Sequence, residues 1–290
     1  MKILSIFNRP IRSHALIFLL CVMTSVSCSM RKFALEHHEF FSTRLAISFL
    51  DLDHEQKNQF RKQWQVFSAR IATAKIEPMA TSIETLSDSS DPSFISEYLQ
   101  KNIREILAGA CTDFSSIAVS LRPAQIKNLQ EKINDRNETF DPDHNGGLVK
   151  HRKQKQKELL ESIDKWLGGA NEAQKKLISD TDKEKDPDGR WERNYLAYSR
   201  ESQDIFITMM QSTAGDAQAF EKKCSNYIAD PDSLLSETAR TIKIDLKQSR
   251  QKTLTAIFQT IDPIQREHLK KETNKLAKDL RSWANDVLAK

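Results

Sequence analysis

The amino-acid sequence predicts an all-α protein, an elongated bundle of about ten helices that follows a cleaved N-terminal signal. Three observations lead to this prediction. The chain has only 7 glycines in 290 residues, and it is rich in Lys, Glu, Gln, Ala and Leu, which are good helix formers. Apolar residues recur three and four positions apart, and none of these stripes alternates with the period of two that is typical of strands. Prolines and Asp-Pro pairs separate the stripes.

The N-terminal segment has the three parts of a secretory signal peptide. Three basic residues lie before position 13, residues 15–26 are almost wholly apolar, and short side chains at 25–27 precede Cys28. This order of charged start, apolar stretch and small-residue cleavage site is typical of exported proteins. The apolar stretch is shorter than the roughly 20 residues that span a bilayer. We therefore expect this segment to be removed.

A cysteine directly after the small residues resembles the lipobox of bacterial lipoproteins. The resemblance implies that residues 1–27 are a signal peptide, that Cys28 carries the lipid, and that residues 28–290 form one helical domain. Ser29 follows the cysteine, and in this class that residue implies sorting to the outer membrane, with the protein facing the periplasm. Ser25 stands where the family usually has Leu. The alternative is cleavage nearby by an ordinary signal peptidase, which would release a soluble protein.

The charge balance excludes a nucleic-acid partner. Of 44 basic residues, three belong to the signal segment, which leaves 41 against 40 acidic residues, a net charge of +1. The remaining charges are finely mixed, so no basic footprint for nucleic acid is present. Only residues 151–157 (HRKQKQK) are locally basic. We expect a solvated helix face there, and the alternative is a surface for lipid headgroups or cell-wall polyanions.

Two cysteines remain once Cys21 is removed with the signal and Cys28 is assigned to lipid. In an oxidising envelope, Cys111 and Cys224 predict one disulfide. The alternative is two separate buried thiols. A catalytic thiol is disfavoured because no histidine lies near either cysteine in the sequence.

Four apolar stripes predict the longest helices and their core-facing sides. They consist of Phe60, Trp64, Phe67, Ile71 and Ala74; of Ile95, Leu99, Ile106, Ala110, Ile117 and Leu121; of Ile242, Leu246, Leu254, Ile257 and Ile261; and of Leu269, Thr273, Leu276, Leu280, Trp283 and Val287.

Prolines and loop residues predict where helices break. Pro78 falls inside a helical run and should kink or interrupt it. Asp91-Pro92 and Asp230-Pro231 each place a capping acceptor before a proline at the first helical position. Residues 141–147 (DPDHNGG) and 186–189 (DPDG) predict loops.

Four helix starts share one pattern, a glutamine three residues after the presumed cap. This is the capping box, in which the cap side chain accepts from a free amide and the glutamine reaches back to the cap N–H. Arg122 cannot accept such a bond, so its copy is imperfect. The four starts are Asp53–Gln56, Arg122–Gln125, Asn171–Gln174 and Asp262–Gln265.

These starts carry a resemblance to an uncharacterised family of proteobacterial α-helical lipoproteins, classed as a domain of unknown function. The first start stands within Leu-Asp-Leu-Asp-His-Glu-Gln at 50–56, and the second, Leu-Arg-Pro-Ala-Gln-Ile at 121–126, leads into Asn134, Asn137, Glu138 and Phe140. Trp166-Leu167-Gly168 then closes a basic helix before the third. The resemblance implies a helical fold and an envelope location, without an established activity.

Two candidate metal motifs are weak. Residues 141–146 have Asp, Asp, Asn and Gly as in an EF-hand loop, but the twelfth position, which should be Glu, is Arg152. His37 and His38 are adjacent and therefore point about 100° apart on a helix, so one ion cannot readily engage both. We expect an acidic turn in the first case and a polar face beside the lipid anchor in the second. No metal and no cofactor is predicted.

The sequence contains no HExxH, G-x-S-x-G, CxxC or glycine-rich phosphate motif. We expect a non-enzymatic envelope lipoprotein that is held on the membrane by its N-terminal lipid and binds or braces an envelope protein or cell-wall partner. The alternative is a periplasmic chaperone or envelope-stress sensor, since Leu-x-x-x-Gln starts are similar to those of Spy/CpxP-type chaperones. Met209-Met210 is the one hint of a Met-rich client surface, and core packing explains it equally well.

Overall fold

The computed structural model describes residues 33–89, 93–139, 141–143, 147–184 and 188–289. Within these ranges the chain forms twelve complete α-helices, a helical stretch at residues 33–36 and two short 3-10 helices, and it has no strand, which confirms the predicted all-α class. The α-helices are α1 (His38–Leu50), α2 (His54–Ala74), α3 (Ile76–Glu84), α4 (Ser93–Asp113), α5 (Ser115–Ser120), α6 (Pro123–Thr139), α7 (Gly147–Leu167), α8 (Glu172–Glu184), α9 (Arg190–Ser212), α10 (Ala217–Ala229), α11 (Glu237–Gln259) and α12 (Pro263–Leu288). The 3-10 helices are Thr85–Asp88 and Pro231–Leu234.

The break that Pro78 predicts lies three residues before the proline. Helix α2 ends at Ala74, Lys75 is a turn residue, and Pro78 lies in the first turn of α3. A proline has no N–H for the carbonyl four residues earlier, and its ring crowds that carbonyl. The carbonyl of Ala74 is the one affected, so the helix ends there, and the next begins where a missing N–H costs little.

Two other predicted boundaries need correction. The stripe from Ile95 to Leu121 spans two helices, α4 and α5, which meet at Phe114. Pro231 opens only a 3-10 turn, in which Asp230 makes no side-chain cap bond, and Ser236 caps the following helix α11 instead. Asp91-Pro92 lies outside the described residues. Such extra breaks raise the helix number above the predicted ten.

Three apolar cores hold the helices together. The first lies between α2, α3, α4 and α12, and the second between α2, α4, α5, α6, α9 and α10. The third joins α7 and α8 to the ends of α11 and α12. Helix α12 takes part in the first and the third core, so its stripe is buried from Leu269 to Trp283 as predicted, and Val287 is partly buried.

Two members of the predicted stripes are exposed, among those whose side chains the structure describes. Ala74 is the last residue of α2, beyond the part of the helix that packs. Leu254 lies in α11, whose buried residues are Ala239, Ile242 and Leu246 near its start and Ile257 near its end. This helix packs on α9 and on α8. Leu254 therefore lies in a stretch of α11, residues 247–256, that contains no buried residue.

The four glutamine starts begin α2, α6, α8 and α12, and they pair two by two. In the first pair, Gln125 Nε2 donates to Gln56 Oε1 at 2.8 Å, and Gln56 Nε2 donates back at 3.4 Å. Each amide also bonds to the segment before the other helix, Gln56 to the carbonyl of Ser120 at 2.9 Å and Gln125 to that of Asp51 at 2.8 Å. The two helix starts are thereby locked against each other.

Arg122 does not cap its own helix but forms an ion pair with the capping residue of the partner helix. Its Nη1 lies 3.0 Å from Oδ2 of Asp53, the cap of the partner helix. The hydrogen bond from the Gln56 amide and the charge of Arg122 together hold the pKa of the Asp53 carboxyl below its usual range. The imperfect capping box at Arg122 is thus one half of a contact between two helix starts.

The second pair repeats this geometry between α8 and α12. Gln174 and Gln265 donate to each other at 3.0 and 2.9 Å, and Gln265 Nε2 donates to the carbonyl of Gly169 at 2.6 Å. Gly169 has a φ of +136°, which a residue with a Cβ rarely adopts. The side chain of Asn171 adds a bond to the carbonyl of Thr260 at 2.8 Å. Both pairs therefore join helices that are distant in sequence through neutral, buried amides.

Candidate functional site

The predicted lipid attachment site, Cys28, and the signal segment 1–27 lie outside the described residues. Helical structure is described from residue 33. Five residues span at most about 18 Å when fully extended. A lipid on Cys28 would therefore hold the domain close to the membrane surface.

The predicted pairing of the two remaining cysteines is present. Cys111, near the end of α4, and Cys224, in α10, form a disulfide with their Cα atoms 5.7 Å apart. Both are in the second core, with exposed fractions of 4% and 6%. Thr112 donates to Glu221 at 2.9 Å beside them. The bridge thus fastens two packed helices whose cysteines are separated by 113 residues.

His38 does not lie on a polar face, as the sequence suggested, but inside the domain. Its Nδ1 accepts a hydrogen bond from Trp64 Nε1 at 2.9 Å, and its ring meets Trp283 edge-on at 5.5 Å. His37, in contrast, is exposed and lies against Phe33 with ring centroids 4.4 Å apart. The adjacent histidines therefore separate to the two sides of the helix start, which rules out a shared ion in this arrangement.

The acidic loop is held by arginines. Arg193 binds Asp143 through two hydrogen bonds of 3.1 and 3.0 Å, and Arg200 lies 3.3 Å from Asp141. Charge and hydrogen bonding from Asp143 raise the pKa of Arg193. The two carboxylates that the EF-hand comparison offered as calcium ligands are thus engaged by cations. Residues 144–146 of the loop lie outside the described part.

Arg152, at the place of the twelfth EF-hand residue, forms a buried ion pair. Its Nε and Nη2 lie 2.9 and 3.1 Å from the two carboxylate oxygens of Glu192. The side chains are only 15% and 3% exposed. This bidentate pair fixes α7 against the first turn of α9, where Leu148 also packs closely on Gly189.

The other cations of the basic helix point outward. Lys150, Lys153 and Lys157 are exposed and, with Val149 and Gln154, line a shallow depression of about 430 Å³. The basic stretch of α7 therefore divides, with Arg152 used in the interior and Lys150, Lys153 and Lys157 presented to solvent.

A larger groove runs along α1 and faces α2. It has a volume of about 750 Å³. Phe40 is 58% exposed, and the hydroxyl of Thr43 is buried without a hydrogen-bond partner. Neither the pattern of the sequence nor any motif indicated this groove. Its lining consists of Glu36, His37, Glu39, Phe40, Thr43, Arg44, Ile47, Ser48 and Arg61.

Two polar side chains of α6, Arg136 and Asn137, lie against α9. Asn137, one of the residues in the family resemblance, is buried, and its side-chain amide donates a hydrogen bond to Gln203 at 2.7 Å. The neighbouring Arg136 is partly buried, which lowers its pKa to about 10, an effect that Tyr195 opposes. At neutral pH this arginine stays charged at the seam between α6 and α9.

The strongest surface ion-pair cluster joins α12 to α3. Arg281 lies 2.9 Å from Glu77 and 2.5 Å from Glu84. Its hydrogen bonds to these carboxylates hold the pKa of each below its usual range. The cluster is a contact between two helices, α12 and α3.

Two further findings apply to the part of the chain that the structure describes. No helix there is both long and apolar enough to cross a bilayer. No group of three or more His, Cys, Asp or Glu side chains there is arranged to bind a metal.

The fold and these sites define a class, an all-α multi-helix protein with a buried disulfide and paired glutamine helix starts. The chain belongs to a family of unknown function, DUF6279, whose match covers residues 48–240, about two-thirds of the sequence. The match includes both cysteines and three of the four glutamine starts, and it ends before Gln265. No curated protein and no solved structure matches the chain.

Proposed function

We propose that this protein is exported, anchored to the outer membrane by a lipid on Cys28, and acts on the periplasmic side as a non-enzymatic binding lipoprotein. The observation that carries the proposal is the buried disulfide between Cys111 and Cys224. Such bridges form and persist in oxidising compartments and are rare in the cytosol. This agrees with the signal-like N-terminal segment, which is an independent feature of the same chain.

The polar interior supports a binding role over catalysis. Its inter-helix hydrogen bonds come largely from the amides of Gln56, Gln125, Gln174 and Gln265, which do not titrate near neutral pH. The carboxylates whose pKa is lowered lie in solvent-accessible ion pairs. General acid–base chemistry is instead marked by groups tuned toward neutral pH within a cleft.

The groove along α1 is the proposed contact surface for an envelope protein. It begins a few residues after the proposed tether, and its lining contains an exposed aromatic ring, Phe40, together with Arg44 and Arg61. Aromatic and arginine side chains are enriched where protein partners bind tightly. Because Glu36 and Glu39 line the same groove as the two arginines, the surface suits a partner segment that is apolar and carries charges of both signs.

The Spy/CpxP-type alternative loses its sequence hint. Met209 and Met210 are both buried in the second core, so neither contributes to a client-binding surface. A chaperone role would have to use another face of the domain.

The anchor is tested by Cys28→Ala, with Cys21→Ala as the matched control. We expect the wild type and the control to fractionate with outer membranes, to incorporate labelled palmitate and to have Cys28 as the first residue by mass spectrometry. The Cys28→Ala protein should be released or stay uncut, without label. Equal palmitate in both variants, or a mature N-terminus elsewhere, would contradict the anchoring.

The binding surface is tested with a photo-crosslinking residue at position 40, in intact envelopes. The control position is Ile264, which is 83% exposed and is not among the residues that line the groove. We expect one discrete crosslinked protein from position 40 and none from position 264. The same pattern of products from both positions would show that the groove is not the contact surface.

A further inference from the structure

The exposed lysines of α7 share one face of a rigidly held helix. At 100° per residue, Val149, Lys150, Lys153, Gln154 and Lys157 fall within an arc of about 140°, and they extend about 12 Å along the helix axis. They line one common depression of about 430 Å³. The five side chains therefore form one surface, which we name the lysine face.

The opposite side of α7 is fixed to the domain. Arg152 is bound bidentately to the buried Glu192, and Ile163 lies in the third core. These contacts prevent the helix from rotating. The lysine face is thus held toward solvent before any ligand binds, so binding requires no further ordering of the backbone.

The cations of this face are weakly compensated. Lys157 lies 3.9 Å from Glu161, whereas Lys150 and Lys153 have no ion pair within the described residues. Glu158 is engaged by Gln154 at 3.2 Å and by Lys155 at 3.6 Å. Elsewhere on the surface, exposed lysines such as Lys176 lie within 2.7 Å of a carboxylate. The first two turns of α7 therefore carry concentrated positive charge in a chain whose overall charges nearly cancel.

We propose that the lysine face binds the phosphate-bearing headgroups of an anionic lipid surface. Lysines on one helix face attract such headgroups, and the attraction falls off within a Debye length. Val149, which is 68% exposed in the midst of the lysines, favours a lipid surface over a fully hydrated polyanion. An apolar side chain is stabilised where it can enter the apolar layer below the headgroups. The proposal uses the anchoring at Cys28 only to bring the domain to a membrane.

The test compares vesicle affinities of chains that all carry Cys28→Ala, so that no acyl chain contributes. Affinity is measured for phosphatidylcholine vesicles with and without phosphatidylglycerol, and the ratio of the two dissociation constants is the readout. The test variant is Lys150→Gln, Lys153→Gln and Lys157→Gln together. Any contribution from residues 1–27 is common to all chains, and circular dichroism confirms that each is folded.

A lysine near an anionic lipid surface contributes about 1 kcal/mol to binding, which changes the dissociation constant about fivefold. Three lysines together therefore change it about a hundredfold. We expect the test variant to lose the preference for anionic vesicles by about this factor. The control removes the same charge at ion-paired lysines, with Lys127→Gln, Lys175→Gln and Lys176→Gln, whose carboxylates lie 3.8, 2.7 and 2.7 Å away. The control should change the ratio several-fold at most.

Three results would overturn the proposal. They are equal affinity of the parent chain for both vesicle types, an equal loss in the test and control variants, and tight binding of soluble polyphosphate without any preference for anionic vesicles. The last would assign the face to a free polyanion. Each result is independent of whether Cys28 carries lipid, which the palmitate experiment decides separately.

Discussion

Replacing Gln174 by Ala tests whether paired glutamines hold the helix starts together. The side chain is completely buried. Its amide exchanges two hydrogen bonds with Gln265, and its Oε1 accepts the N–H of Asn171 at 3.0 Å. Three hydrogen bonds contribute about 1 kcal/mol each, and a buried donor left without a partner adds to the loss. Alanine recovers a few tenths of a kcal/mol in helix propensity. We expect the free energy of unfolding to fall by about 2–4 kcal/mol.

The assay is urea unfolding followed by far-UV circular dichroism, with Gln248→Ala on the exposed side of α11 as control. The control should change stability by less than about 0.5 kcal/mol. A double-mutant cycle with Gln265→Ala should show coupling of about 0.5–3 kcal/mol, because the residues share hydrogen bonds. If Gln174→Ala costs no more than the control, the paired amides do not stabilise the fold and the reasoning is wrong.

A charge variant at the same position gives a second readout. Gln174→Glu keeps the size of the side chain but places a carboxylate against Gln265 Oε1. Burial and this oxygen should raise the pKa of the new carboxyl above its unfolded value of about 4.3. The stability lost relative to the wild type should then be smallest below that value and grow as the pH rises through the folded pKa. A loss relative to the wild type that is equal at acidic and neutral pH would contradict this assignment.

Three further predictions concern other contacts. The double variant Cys111→Ser, Cys224→Ser should have a free energy of unfolding lower by up to about 4–5 kcal/mol in the chain-entropy account, as measured by urea unfolding. In the wild type, alkylation without reductant should find no free thiol at either position. Glu192→Gln should cost about 3 kcal/mol or more, because it leaves Arg152 buried without its countercharge. Arg281→Met should reduce the loss of stability on acidification. Arg281 lowers the pKa values of Glu77 and Glu84, so these carboxylates stabilise the fold above about pH 4.3 and cease to do so as the pH falls through their folded pKa values.

Matched controls separate these effects from general destabilisation. Asp180→Asn breaks the solvent-exposed pair with Lys176 and should cost less than about 1 kcal/mol. Arg44→Met removes an exposed arginine that has no ion pair within the described residues, and it should leave the pH dependence of thermal unfolding unchanged. If Glu192→Gln costs as little as Asp180→Asn, or if Arg44→Met alters the acid response as Arg281→Met does, the corresponding prediction is wrong.

Local patterns accounted for much of the fold. The stripe from Leu269 to Trp283 is buried as predicted, because a helix with apolar residues every three or four positions has one side to bury whatever it packs against. The capping boxes at Asp53 and Asp262 form as predicted, because their hydrogen bonds join residues three apart. The break between α2 and α3 was predicted from Pro78, because a proline ring clashes with the carbonyl of the preceding helical turn. All of these effects act within a few residues.

The sequence by itself thus determined the helical class, where several helices start, and the disulfide between Cys111 and Cys224. Only the tertiary structure decided that Gln56 pairs with Gln125 and Gln174 with Gln265, and that His38 is buried against Trp64. Neither can be deduced from spacing, because the partners are 69, 91 and 26 residues apart. Which surfaces meet is set by the packing of whole helices, and a local pattern specifies only which side of each helix is buried.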